Sequence, residues 1–237
     1  MIRTVTAFSA AAFSAALLAT SAFAAERSWT PSDFDEIEVR GPYDVVVTTG
    51  GSPLVRAQGS DDALERLEIR TDGDRLIITS KRSGGLSGLF GGRDDADVRV
   101  LVNTERLNAA SLSGSGDLVV DRMDGDDVKI AMSGSGDINV GAVRAGSAKI
   151  AMSGSGDISA AGACNSASIS ISGSGEVQAG DLACKMLTVS IAGSGDVYAH
   201  ASDTATAKIA GSGDVFISGG ARCSTKVSGS GEVQCGA

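Results

Sequence analysis

Apolar and polar residues alternate with a period of two through most of the chain, and one phrase interrupts this alternation at regular intervals. The phrase is Gly-Ser-Gly followed by Asp or Glu, and its seven copies begin at Gly114, Gly134, Gly154, Gly173, Gly193, Gly211 and Gly229. Successive copies start 18 to 20 residues apart. A fixed period of this length is typical of stacked repeats, in which each unit buries its apolar face against its neighbours.

Counting from the first glycine of each copy as position zero shows which side chains face inward. Positions −4, −2, +4 and +6 are mostly apolar, as in Ile150 and Ile158 on either side of Gly154. The odd positions carry mainly Ser, Lys, Asn, Gln or Thr, with Tyr198 and Phe216 as exceptions. Alternation with a period of two predicts strands with one buried face. The sequence therefore predicts an all-β fold in which each repeat is one coil of a parallel β-helix.

The phrase itself divides into inward and outward positions. Its two glycines, at 0 and +2, are predicted to face inward, where the wall bends sharply or another backbone approaches closely. Its serine and its acid, at +1 and +3, are predicted to face outward and form the candidate binding face: Ser115, Asp117, Ser135, Asp137, Ser155, Asp157, Ser174, Glu176, Ser194, Asp196, Ser212, Asp214, Ser230 and Glu232.

Residues 1–24 have the pattern of a secretory signal peptide. Arg3 precedes an apolar run over residues 7–18, and Ala22-Phe23-Ala24 provides the small residues of a cleavage site. We expect cleavage after Ala24 and an exported protein, periplasmic or at the cell surface. No later apolar run is long enough to span a bilayer, so we expect no transmembrane segment in the mature chain.

Residues 25–108 are predicted to form a β-rich N-terminal part of the same domain, ahead of the repeats at 109–237. Ser60 is a candidate cap for one short helical turn over residues 61–66, and Asp72-Gly73 is a strong hairpin signal. Residues 83–95 lack any period and are predicted to be a flexible loop. It folds over its own domain or contacts a partner or membrane through Leu86, Leu89 and Phe90.

Four cysteines in an exported chain predict disulfides. Cys164 and Cys184 each lie nine residues before the next phrase, so they occupy equivalent positions on adjacent coils and are predicted to pair. Cys223 and Cys235, at −6 and +6 of the last copy, both have inward parity and are predicted to close the final coil as a second disulfide.

Charge excludes one class of partner. The formal net charge is −9, and it becomes −10 when the first 24 residues with Arg3 are removed. Such a surface repels nucleic acid and anionic lipid. The expected partner is therefore an envelope protein or a glycan, and a homo-oligomer through an uncapped end of the column is a further possibility.

The repeated phrase, together with strands such as Lys149-Ile150-Ala151-Met152-Ser153, closely resembles the GIN domain family, which is described as the head domain of auto-transporter adhesins. The resemblance extends to the N-terminal part, where Gly41-Pro42-Tyr43-Asp44 is similar to the family's opening strand, and it covers roughly residues 34–234. It implies a right-handed parallel β-helix in the cell envelope and no established enzymatic role.

The expected function is therefore a non-enzymatic, adhesin-like or scaffold module that binds through a repetitive polar face and needs no cofactor. Two alternatives remain open. A polysaccharide-acting enzyme is one, although seven nearly equivalent acids differ from the unlike pair that acid/base chemistry requires. A calcium-stabilised β-roll is the other, with weak candidate ligands at Asp117, Asp137, Asp157, Asp196 and Asp214.

Overall fold

The structure, a computed structural model, describes residues 25–81 and 98–236. Predicted features of the signal peptide and of the loop, including Leu86, Leu89 and Phe90, lie outside these residues. The N-terminal part comprises β1 (Ala25–Trp29), β2 (Glu36–Arg40), β3 (Asp44–Thr49), β4 (Leu54–Gly59), α1 (Asp61–Arg66), β5 (Leu67–Asp72), β6 (Arg75–Ser80) and β7 (Arg99–Thr104). The repeats form β8 (Ala109–Gly114), β9 (Leu118–Val120), β10 (Met123–Gly134), β11 (Ile138–Gly154), β12 (Ile158–Gly173), β13 (Glu176–Gly193), β14 (Asp196–Gly211), β15 (Val215–Ser218), β16 (Arg222–Gly229) and β17 (Val233–Cys235).

The repeats stack as a parallel β-helix, which confirms the predicted fold. Strands β10 to β14 pair in parallel with their neighbours, and equivalent residues of adjacent copies are partners: Met132 pairs with Met152, and Ile150 with Ile169. The column has about six turns. Because one coil follows another at a constant chain offset, identical side chains lie above one another.

The core is a column of small and medium aliphatic side chains. Positions −2 and +4 are buried in every coil up to β15, as Met132 and Ile138 show at 3% and 1% exposure. Thin aliphatic layers suit a chain with only 4% aromatic residues. Burial of this apolar surface is the main force that favours the stacked coils.

The N-terminal part contributes further layers that the sequence pattern does not reveal. Strands β2 and β3 lie in parallel under β8 and β9, and β6 and β7 lie in parallel under β2 and β3. The residues Gly41 to Asp44 therefore form a divergent copy of the bend, in register with Gly114 to Asp117. The N-terminal third appears non-repetitive only because its layers are distant in the chain.

Tyr43 takes the place of the second glycine in this divergent copy. Its side chain is fully buried, and its hydroxyl group is hydrogen-bonded to that of Ser80.

Antiparallel strands and the helix cover the N-terminal end of the column. Strand β4 pairs with β7 and with β1, and β5 forms the predicted hairpin with β6. Helix α1 begins after Ser60, whose side chain accepts a hydrogen bond from the Ala63 backbone N–H at 3.3 Å, as the sequence predicts. Ala63 and Leu64 are the buried residues of this helix.

The structure joins both cysteine pairs that the sequence predicts. Cys164–Cys184 crosslinks two adjacent coils, and Cys223–Cys235 crosslinks the last coil. The predicted inward environment is wrong for the second pair, because Cys223 and Cys235 are exposed. All eight residues of β16 are exposed, since no further coil covers them in the part of the chain that the structure describes.

Candidate functional site

The glycines of the phrase set the distance between successive bends. A Cβ atom added to Gly154 would lie 1.9 Å from the carbonyl oxygen of Gly134, and one added to Gly156 would lie 1.9 Å from that of Gly136. Gly154 also has φ +141°, a conformation that other residues rarely adopt. The first glycine thus combines the two predicted roles, a bend and a close approach. The missing Cβ atoms lie against the neighbouring coil's backbone, which is the close approach that the sequence predicts; in the first six copies the second glycines are buried, and the first glycines are half-buried.

The serines and acids of the phrase follow the bend as two outward columns. All seven serines are exposed, and the acids are exposed or half-buried. The acids bind the backbone: Asp137 Oδ1 accepts a hydrogen bond from the Asp157 backbone N–H at 2.9 Å, and Asp196 Oδ1 accepts one from Asp214 N–H at 2.8 Å. The same bond joins Asp44 to Asp117, Asp117 to Asp137, Asp157 to Glu176, and Asp214 to Glu232.

Where glutamate replaces aspartate, this column of hydrogen bonds changes. The backbone N–H of Asp196 donates to the Gly175 carbonyl oxygen at 3.3 Å, and the Glu176 carboxylate instead accepts from the side-chain amide of Gln178 at 2.6 Å. Glu232 accepts in the same way from Gln234 at 3.4 Å. The longer glutamate side chain therefore extends along its own strand, towards the side chain at position +5.

The acids form a single file along the column. They do not converge, and no group of three or more His, Cys, Asp or Glu side chains close enough to hold a metal ion occurs within residues 25–81 and 98–236. The candidate calcium ligands therefore lie one per coil. In five of the acids, one carboxylate oxygen accepts a hydrogen bond from a backbone N–H group of the next coil. The aspartate side chain therefore stabilises the stacking of coils, in addition to any role in binding.

A groove runs beside the acid column, and we call it the side groove. It consists of three adjoining cavities of about 320, 530 and 580 Å³ that share lining residues. One edge carries acids of the first four copies, and the other edge carries Gly141, Ala161 and Gly180. The floor is formed by position +5 of successive coils: Val119, Asn139, Ser159, Gln178, Tyr198, Phe216 and Gln234. The sequence pattern indicates these positions as outward, but not that they line a concavity.

Two aromatic rings mark the C-terminal half of the side groove. The rings of Tyr198 and Phe216 are stacked with their centroids 4.9 Å apart and their planes at 9°. Tyr198 remains 41% exposed. The period-two pattern identifies both residues as the apolar exceptions among outward positions, and in-register stacking places them on adjacent coils.

His200 has a partner that its position in the sequence does not reveal. Its Nδ1 atom is 3.1 Å from the Ser218 hydroxyl oxygen. This contact lies at an equivalent position on the next coil, because His200 and Ser218 are partners in the β14–β15 ladder. The His200–Ser218 contact therefore stabilises the stacking of these two coils.

Several solved structures share this architecture. An adhesin described as putative, from Bacteroides fragilis NCTC 9343, superposes with a TM-score of 0.82 at 19% identity and covers 91% of this chain and 98% of its own. A putative lipid binding protein from Parabacteroides distasonis ATCC 8503 superposes with a TM-score of 0.71 at 23% identity, over 92% and 98% of the two chains. A putative adhesin from Parabacteroides merdae ATCC 43184 gives 0.70 at 20% identity over the same shares. At these identities the likeness establishes the fold alone.

The family comparison agrees with the repeat. A comparison with curated proteins finds no match. Within the described residues, no helix has the length and apolar character needed to cross a membrane. The family model described as "Putative auto-transporter adhesin, head GIN domain" matches residues 33–221, and because this match covers well over half of the chain, the protein belongs to that family.

Proposed function

We propose that this protein is an exported, non-enzymatic, adhesin-like module that binds an elongated partner of the cell envelope or cell surface along its side groove. One observation carries the proposal: the three cavities join into a continuous concavity along the column, and its floor presents one outward side chain per coil. Six coil spacings of about 4.8 Å separate Val119 from Gln234, so the groove is roughly 29 Å long. A surface of this length and regularity suits a polymeric ligand.

Export is supported by the pattern of residues 1–24 and by the disulfides. Both cysteine pairs are oxidised, and no free cysteine remains among the residues that the structure covers. Disulfides form and persist mainly in oxidising compartments beyond the inner membrane. Protease treatment of intact cells, followed by fractionation, separates the two locations: degradation indicates surface exposure, and survival until the outer membrane is opened indicates the periplasm.

A non-enzymatic role is supported by the equivalence of the acids. Glycoside hydrolysis requires two carboxyl groups whose environments separate their pKa values. Asp137, Asp157 and Asp214 instead repeat one environment, in which each carboxylate meets the next coil's backbone N–H group. Incubation with pectin, alginate and neutral polysaccharides should therefore release no reducing ends or unsaturated products, and release of either would overturn this part of the proposal.

The binding role is tested with two substitutions in one strand. Ser159 lies in the groove floor, whereas Ser170, also in β12, is exposed outside the groove. Beads coated with residues 25–237 should retain cell envelopes or envelope polysaccharides, Ser159→Arg should abolish retention, and Ser170→Arg should leave it unchanged. Equal effects of the two variants, or no retention by the parent protein, would contradict binding in the side groove.

A further inference from the structure

The aromatic pair is enclosed by two matched Glu–Gln pairs along the column. At position +5, Gln178 precedes Tyr198 and Gln234 follows Phe216 on successive coils. The two glutamines lie in the two glutamate-containing copies, and each side-chain amide donates to the glutamate of its own copy. The repeat is therefore non-uniform over its last four coils, where these pairs flank the aromatic rings.

The two largest cavities of the side groove meet at this place. The cavity of about 530 Å³ is lined by Gln178, Gly180 and Tyr198, and the cavity of about 580 Å³ by Gly180, Tyr198, Phe216 and Gln234. Each glutamine donates an amide N–H to a carboxylate, at 2.6 Å for Gln178 and 3.4 Å for Gln234, which favours one orientation of the amide beside the rings. The amide oxygen can still accept a hydrogen bond and the second N–H can donate one.

We propose that these residues form a subsite for a neutral polysaccharide, with one or two sugar units seated against Tyr198 and Phe216 and hydrogen-bonded by Gln178 and Gln234. The proposal rests on the proposed function and names its ligand class. Sugars combine apolar C–H surfaces with hydroxyl groups that donate and accept hydrogen bonds. The subsite offers the matching chemistry: an aromatic surface, oriented amides, and carboxylates that accept from hydroxyl groups.

Charge and backbone pairing disfavour the other polymers. Anionic polysaccharides and nucleic acids meet Glu176, Asp181 and the rest of the acid column at the groove edge, in a chain of net charge −9. An extended peptide would bind most strongly by adding a strand to an open sheet edge. Among the described residues, β13, β14 and β15 are paired on both sides beneath Gln178, Tyr198 and Phe216. The open edge of the floor is β17, at Gln234, so an added strand would lie beyond the last coil and not over the aromatic pair.

Native affinity electrophoresis of residues 25–237 tests the subsite. The probes are mannan, laminarin and galactomannan as neutral polymers, polygalacturonate as an anionic polymer, and polylysine as a cationic one. At least one neutral polymer should retard the protein. Tyr198→Ala should weaken that affinity about tenfold or more, as expected for a buried aromatic anchor, and Tyr198→Phe by less than about threefold.

Met186 provides the control, since it is an exposed apolar side chain of β13, at 48% exposure, and does not line the side groove. Met186→Ala should leave the affinity within about twofold of the parent. If Tyr198→Ala unfolds, the parent protein labelled with ¹⁵N still decides, because bound polysaccharide should shift the side-chain amide signals of Gln178 and Gln234 and leave that of Asn165, which is exposed outside the groove, in place.

The outcomes separate this proposal from the proposed function. Neutral binding that Ser159→Arg abolishes and Tyr198→Ala leaves unchanged would overturn the subsite and leave groove binding intact. Retardation by polylysine or polygalacturonate alone would overturn the ligand class. Retention of cell envelopes that Ser159→Arg abolishes, without any binding of neutral polymers, would also overturn the ligand class while supporting the proposed function.

Discussion

Replacing Gly156 by alanine tests whether backbone contact between bends determines the coil spacing. The added Cβ atom would lie 1.9 Å from the Gly136 carbonyl oxygen and 2.9 Å from its carbonyl carbon, whereas real Cβ atoms essentially never approach a heavy atom within 3.0 Å. The φ angle of Gly156 is not in the left-handed region, so steric overlap is the only added cost.

The overlap exceeds 1 Å against an atom that cannot move alone. The neighbouring bend is fixed by hydrogen bonds, such as that from the Ser155 backbone N–H to the Gly134 carbonyl oxygen at 3.0 Å. Overpacking in a well-packed structure costs typically 1–3 kcal/mol, and a rigid backbone neighbour places this site at the upper end, about 3 kcal/mol or more. For a chain of this size, about 3 kcal/mol lowers the melting temperature by roughly 6–12 °C.

Gly180→Ala is the matched control, because a Cβ atom there meets nothing within 4 Å and the φ angle of Gly180 is not in the left-handed region. That variant should melt at or slightly above the parent temperature, since alanine at a compatible position restricts the unfolded chain. Thermal unfolding followed by circular dichroism measures both variants. A Gly156→Ala protein that melts within about 1 °C of the parent would refute the contact argument, because the overlap predicts several times that shift.

Three other predictions follow from the acid column and the disulfides. At high salt, where repulsion between the acids is screened, Asp137→Ala should lower the free energy of unfolding by about 1 kcal/mol. Asp137→Asn keeps the acceptor oxygen and should lower it by less than about 0.5 kcal/mol. Equal losses for the two variants in chemical denaturation would contradict the hydrogen-bonding role. Under mild reductant, the exposed disulfide Cys223–Cys235 should be reduced before Cys164–Cys184, whose two residues are 8% and 2% exposed. Mass spectrometry of alkylated peptides measures the order, and the reverse order would contradict the burial argument. Calcium and chelator should leave the melting temperature unchanged, because the aspartates lie in single file, and a rise of several degrees with calcium would instead support the β-roll alternative.

Much of the fold could be predicted from the sequence because the repeat is one-dimensional. In-register stacking converts a chain offset of about 20 residues into direct contact, so the period alone identifies the partners of Ile150 and the pairing of Cys164 with Cys184. Alternation with a period of two assigns the buried face of each strand, and the inward positions around each phrase are buried as far as β15.

The same pattern predicts only part of the candidate site. The outward serine and acid columns follow from parity, and Tyr198 and Phe216 appear as exceptions to it. Their enclosure by Gln178 and Gln234 depends on how far each side chain reaches across a strand. The side groove lies beside register irregularities between Val140 and Val143 and between Ala179 and Ala183, which no period encodes.

The sequence by itself determined the parallel β-helix, its buried positions and the Cys164–Cys184 pair, because each depends on contacts that recur at an offset of 18 to 20 residues. The tertiary structure alone decided three features. Strands β2 and β3 became a layer of the column, Tyr43 replaced a glycine beneath the first bend, and the aspartates of the phrase became acceptors for the next coil's backbone. The first two join segments about 70 residues apart, and the third depends on the distance between two bends, which is fixed only when the coils stack.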